Sequence, residues 1–153
     1  PATSRGARFA PKRVEEVVST DVVTAQRDTP IATVVAMMAE NDVGSVVVVD
    51  DDGETPVGIL TDRKIALAVE STSDIGKRPA EELLSGTLLT GRAEMSVFDA
   101  IERLQENTIR RLPIVDEEGS LVGIVTLDDL LVLLGHKIDD AVGVIETQTI
   151  GQI

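Results

Sequence analysis

Hydrophobic and polar positions along this chain alternate in a series of patterns that occurs twice. In the first copy, Asp21-Val22-Val23-Thr24 reads as a short extended lead-in. Thr29-Pro30 then has the form of an N-cap followed by Pro at the first helical position. Ile31, Val34, Val35 and Met38 recur at i, i+3, i+4 and i+7, which predicts one apolar face of an amphipathic helix. Ser45 to Val49 is a β-branched run that predicts a buried strand. Asp50-Asp51-Asp52-Gly53 is turn chemistry, and Val57 to Leu60 is the returning strand of a hairpin. Thr61 or Asp62 is expected to cap a second helix running to about Ser71.

The second copy repeats that order. Leu88-Leu89 leads in, and Ser96 with Asp99 three residues on marks a helix start. Val97, Ile101 and Leu104 give its apolar stripe. Arg111 to Val115 and Leu121 to Val125 form a hairpin around Asp116-Glu117-Glu118-Gly119. Leu127, Leu130, Leu131 and Leu134 line the last helix. Val14, Val17 and Val18 suggest a short helix before the first copy, and Ala80 to Leu84 plays the same part before the second.

The copies align residue by residue. Asn41 to Asp50 (N-D-V-G-S-V-V-V-V-D) matches Asn107 to Asp116 (N-T-I-R-R-L-P-I-V-D) at a displacement of 66. Val57-Gly58-Ile59-Leu60-Thr61 matches Val122-Gly123-Ile124-Val125-Thr126 at a displacement of 65. Two copies make a pseudo-two-fold pair rather than a solenoid. The expected organisation is a first domain over residues 12–70, a linker over 71–79, a second domain over 80–137 and a helical extension over 138–153. A half of this size buries little surface alone, so the halves are expected to pack sheet to sheet with a cleft between them. The fold class is α/β (α+β), each half β-α-β-β-α.

Composition narrows the function. The net charge is −13, which repels nucleic acid and anionic membrane and argues against either as a partner. Lysine is confined to Lys12, Lys64, Lys77 and Lys137. That balance resembles proteins of salt-loving archaea, with an ordinary acidic cytosolic protein as the alternative. The absence of cysteine excludes disulfides, thiol catalysis and Cys-based zinc sites. The apolar run Leu130 to Leu134 is far too short to span a membrane, and Pro1-Ala2-Thr3-Ser4-Arg5 has no signal-peptide core, so a cytoplasmic protein is expected. The wide apolar surface of the last helix predicts a homodimer.

The element order, the two copies, and G-I-L-T and G-I-V-T after each hairpin resemble the cystathionine-β-synthase-type (CBS) domain family over roughly residues 12–137. The resemblance implies a regulatory module, not an enzyme, that binds AMP, ADP, ATP or S-adenosylmethionine in the cleft. It implies no cofactor; Mg²⁺ accompanies the ligand if that ligand is ATP. The family's motif is G-h-h-T-x-x-D, in which Thr meets ribose or phosphate and Asp accepts from both ribose hydroxyls, as an acceptor-only carboxylate can. Helix-start N–H groups there favour an anion.

By position, the second repeat carries Thr126, Leu127, Asp128 and Asp129, with Asp129 the ribose candidate. The first carries Thr61, Asp62, Arg63 and Lys64, so Lys stands where the family has its acceptor. Either that site is degenerate, or Lys64 meets phosphate on a more highly charged ligand, or Lys64 is a solvated helix residue. The base is expected against Val22, Val23 and Thr24 with Gly44, Ser45, Val46 and Val47 in the first repeat. In the second it is expected against Leu88, Leu89 and Thr90 with Arg111, Leu112 and Pro113. Arg110 stands where nucleotide-sensing relatives place a phosphate-binding Arg; surface pairing with Asp or Glu is its other reading. The acidic hairpin turns read as solvated turns without Ca²⁺-loop spacing. His136 lacks a zinc partner set, and Met37, Met38 and Met95 read as core. A second function fits the same residues: a structural or protein-interaction dimerisation module with vestigial nucleotide sites, which Lys64 in the acceptor position favours.

Overall fold

A computed structural model describes residues 12–135. His136, Lys137 and the predicted extension over 138–153 lie outside the described residues. The elements are β1 (Thr24–Gln26), α1 (Ile31–Asn41), β2 (Ser45–Val49), β3 (Pro56–Thr61), α2 (Asp62–Ser71), α3 (Val97–Glu106), β4 (Arg111–Val115) and β5 (Leu121–Thr126). A further helix, α4, covers residues 127–135 of the described chain. Among the described residues the content is mixed α/β, with one three-stranded and one two-stranded sheet.

Two compact units emerge. The first is Ser19–Thr90 with Pro113–Ile124, and the described residues of the second are 12–18, 91–112 and 125–135. In the first unit β2 lies between β1 (parallel) and β3 (antiparallel), with Thr24 opposite Val47 and Ser45 opposite Thr61. Val46 to Val49 are all buried, because β2 is the middle strand and both its faces are covered. Val46 and Val48 pack with Ile31, Val34 and Met38 of α1, and with Leu60 and Ile65.

Three local expectations change here. Val35 is 44% exposed: it lies at the rim of the stripe that Ile31, Val34 and Met38 bury. Thr29 does not cap α1. Pro30 is the N-cap residue, and the Thr29 hydroxyl accepts from the Gln26 N–H at 2.9 Å, closing the turn ahead of the helix. The α1 start is instead tied to residues 78–80: the Ile31 N–H donates to the Arg78 carbonyl at 2.9 Å and the Ala80 N–H to the Thr29 carbonyl at 2.8 Å. The segments before each repeat, Val14–Glu16 and Ala80–Leu83, are single 3₁₀ turns.

The third change is the lead-in to the second repeat. In the first repeat the Val47 N–H donates to the Val23 carbonyl at 3.0 Å, which fastens β1 to β2. The equivalents are Pro113 and Leu89. Proline has no N–H, so that bond cannot form. No strand forms over 88–90, and the sheet there has two strands instead of three.

In the second unit, Ser96 caps α3 and accepts from the Asp99 N–H at 3.1 Å, as the spacing predicts. Val97, Ala100, Ile101 and Leu104 bury their side chains, as do Val14, Leu112, Val125 and Leu130. On α4, Leu131 and Val132 are exposed at 46% and 58%.

The hairpin carboxylates serve the backbone. Asp52 Oδ1 accepts from the N–H groups of Glu54 and Thr55, and Asp116 Oδ1 from those of Glu118 and Ser120, all at 2.9 Å. Among the described residues no group of three His, Cys, Asp or Glu side chains could hold a metal ion. The Asp50 carboxyl is held below its ordinary value by the Arg27 guanidinium, which donates at 3.0 Å, and then by the Asp51 N–H. The Asp52 carboxyl is lowered by the Thr55 hydroxyl and the N–H groups of Thr55 and Glu54. A carboxyl lowered in the folded state stabilises the fold when ionised; that contribution is complete above the unfolded value and is lost as pH falls through the folded one. Asp50→Asn/Asp52→Asn is therefore expected to be less stable than the parent at pH 7, with the gap closing below about pH 4. Urea unfolding followed by circular dichroism from pH 7 to pH 2 checks this; a constant gap would contradict it.

Candidate functional site

In the first unit the chain brings the first-repeat candidates to one edge of the sheet, where β1 and β2 begin and β3 ends. The parallel register sets Thr24 beside Val47, and the antiparallel register sets Ser45 beside Thr61. The Asp62 N–H donates to the Gly44 carbonyl at 3.0 Å, which joins the helix start to the lead-in of β2. Thr61 is the N-cap of α2 and accepts from the Lys64 N–H at 3.1 Å. Val46 and Val47 are buried, whereas Val22, Val23, Thr24, Gly44 and Ser45 are half-buried.

The first-turn N–H groups of α2 already have acceptors. Asp62 bonds Gly44, Lys64 bonds Thr61, and the Arg63 N–H donates to Asp62 Oδ1 at 2.7 Å. An anion at this edge would therefore be met by the side chains of Arg63 and Lys64, which the expectation based on helix amides did not separate. Lys64 is half-buried, and its Nζ donates to Ser85 Oγ at 3.4 Å. Ser85 belongs to no motif and is 21 residues away, so the sequence carried no signal for it.

The second-repeat candidates divide between the units. Leu88, Leu89, Thr90 and Pro113 belong to the first unit; Arg110, Arg111, Leu112, Thr126, Asp128 and Asp129 belong to the second. Within the second unit, Thr126 accepts from the Asp129 N–H at 3.1 Å, the counterpart of Thr61 and Lys64. The Leu127 N–H donates to the Arg110 carbonyl at 2.8 Å, the counterpart of Asp62 and Gly44. The same backbone frame thus carries opposite charges. The first repeat has Gly44, Arg63 and Lys64 where the second has Arg110, Asp128 and Asp129. Arg110 Nη2 donates to Asp128 Oδ1 at 2.8 Å.

The first unit also holds an open cleft of about 690 Å³ beside Arg27, Val57, Glu81, Leu84, Thr87 and Leu88. Of its lining residues, Leu88 alone was a candidate from the sequence. Among the described residues no helix is long and apolar enough to cross a membrane.

The repeated strand–hairpin–helix frame and its capping threonines define a tandem module, and comparison with known proteins agrees. The family model for the CBS domain matches twice, at residues 14–71 and 80–136. The chain belongs to the CBS domain family. It is similar to the uncharacterized protein MK0525 of Methanopyrus kandleri, 38% identical over 77% of this chain and 60% of that protein. Among solved structures it is similar to the CBS domain protein PAE2072 from Pyrobaculum aerophilum complexed with AMP, at TM-score 0.72 and 26% identity, covering 82% of this chain and 99% of that one. It is also similar to the CBS domain pair of protein MJ0100 in complex with 5-methylthioadenosine and S-adenosyl-L-methionine, at TM-score 0.73 and 26% identity, covering 83% and 98%. The chain spans only 23% of the inosine-5'-monophosphate dehydrogenases it matches, such as that of Mycobacterium tuberculosis.

Proposed function

We propose that this chain is a regulatory module that binds an adenosine-containing ligand, with the second repeat as the principal site. The observation that carries the reading is the pairing of Thr126 and Asp129 on the first turn of α4 with Arg110 bonded to that same turn. Asp129 is exposed, and a carboxylate there can accept from both hydroxyls of a ribose. Arg110 offers a guanidinium to a phosphate. The complexes named for the two structural neighbours support the ligand class. In the first repeat Lys64 cannot accept from a diol, so Arg63 and Lys64 favour a ligand with more phosphates, or none binds there.

Ligand binding would bias one arrangement of the module, and a partner would read it. The exposed Leu131 and Val132 of α4 favour a homodimer as the signalling form. Calorimetric titration with AMP, ADP, ATP and S-adenosylmethionine tests the proposal. At least one is expected to bind with saturable heat. No heat with any of the four overturns it. The second reading, an interaction module with vestigial sites, is favoured by Lys64 in the acceptor position; it predicts a stable dimer by light scattering together with four silent titrations.

A further inference from the structure

We propose that Asp128 makes the second repeat selective for adenosyl ligands that carry little negative charge, by holding Arg110 away from phosphate. This rests on the adenosine-binding reading above. Arg110 is fixed at two points. Its carbonyl accepts from the Leu127 N–H at 2.8 Å, which sets the backbone against the first turn of α4. Its guanidinium donates to Asp128 Oδ1 at 2.8 Å, which sets the side chain. The two side chains are 66% and 72% exposed, so the guanidinium can leave Asp128 by rotating its own bonds, with the backbone bond kept.

The consequence depends on ligand charge. A phosphate that takes Arg110 Nη2 must displace the Asp128 carboxylate, and one that takes the other guanidinium donors lies beside that carboxylate. Like charges so placed repel. A neutral ligand such as 5-methylthioadenosine, or a sulfonium cation, meets neither cost. Asp128 is thus a positioning residue: it acts through Arg110 and need not touch the ligand. The first repeat has no such device in its sequence, because Gly44 stands at the Arg110 position and Arg63 at the Asp128 position. The two repeats of one chain would then sort adenosyl ligands by phosphate content.

The test is Asp128→Asn in the full chain. An exposed ion pair is weak, so the expected effect is modest. AMP affinity is expected to rise roughly three- to five-fold, with 5-methylthioadenosine affinity unchanged within about two-fold. Arg110→Gln in the same background should remove the gain. An unchanged ratio of AMP to 5-methylthioadenosine affinity overturns the proposal. Pyrophosphate, followed by phosphorus NMR, probes the latch without the nucleoside: Asp128→Asn should bind it roughly three- to five-fold more tightly than the parent, and equal binding overturns the latch. Failure of 5-methylthioadenosine and AMP to bind either protein overturns the adenosine reading instead, and the pyrophosphate comparison still decides the role of Asp128.

Discussion

Asp129→Ala is expected to weaken adenosine binding about a hundredfold while leaving the fold intact. The side chain is exposed, and what α4 needs from this position is its N–H, which donates to Thr126 Oγ1 and survives the substitution. Loss of a carboxylate near a helix N-terminus costs the fold roughly 0.3–1 kcal/mol. The ligand loses more. Two ribose hydroxyls donating to one carboxylate contribute about 1.5 kcal/mol each, together about 3 kcal/mol, which is about a hundredfold in affinity. 2'-Deoxyadenosine provides the second side of a cycle. It should bind the parent more weakly than adenosine does, and bind Asp129→Ala no worse than adenosine does. Full additivity of the two deletions would show that Asp129 does not hold the diol. The first repeat gives the converse arm: Lys64→Asp supplies an acceptor on the equivalent turn, and loses the Ser85 contact at 3.4 Å.

Much of this architecture can be read from the sequence because it is local. A Thr or Ser followed three residues later by the N–H it caps needs no tertiary information, and Thr61, Ser96 and Thr126 all cap as their spacing implies. The β-branched run at 45–49 and the Asp-rich turns are local in the same sense. What the sequence misplaces depends on a distant partner. Thr29 has the form of a cap, but the helix start is held by the distant Arg78 carbonyl, which leaves the Thr29 hydroxyl to close a local turn with Gln26. Val35 fits the helical period, but burial depends on how wide a stripe the sheet covers. The absence of a lead-in strand in the second repeat has a local cause that the sequence carries: Pro113 lacks the donor that Val47 uses.

The site divides the same way. Motif spacing brings out Thr126, Asp129 and the displaced Lys64. It says nothing of Ser85 beneath Lys64, or of which acid takes Arg110, because both contacts join segments about 20 residues apart. The acidic composition made surface pairing for Arg110 one of two expectations. The structure pairs Arg110 with Asp128, and the latch proposed above has a phosphate compete with that pair for one guanidinium.

Gly58→Val is expected to destabilise the protein by about 1–3 kcal/mol, and to do so through one neighbour. Gly58 is the glycine of G-I-L-T, buried on β3 opposite Val48. Its backbone φ is not in the left-handed region, so conformational freedom does not explain it. Space does: a Cβ would lie 2.5 Å from Leu84 Cδ2, 2.9 Å from Cδ1 and 3.1 Å from Cγ. Valine favours a strand by up to about 1 kcal/mol over glycine, which offsets part of the clash but not all of it. Leu84 packs on the first unit's core and adjoins Ser85, so a displaced Leu84 also draws Ser85 from Lys64. Leu84→Ala removes the obstructing atoms. Denaturant unfolding of both single variants and the double should show coupling of at least about 1 kcal/mol, the double being more stable than the sum of the singles implies. Additivity within about 0.5 kcal/mol would mean that the motif glycine is needed for some reason other than Leu84.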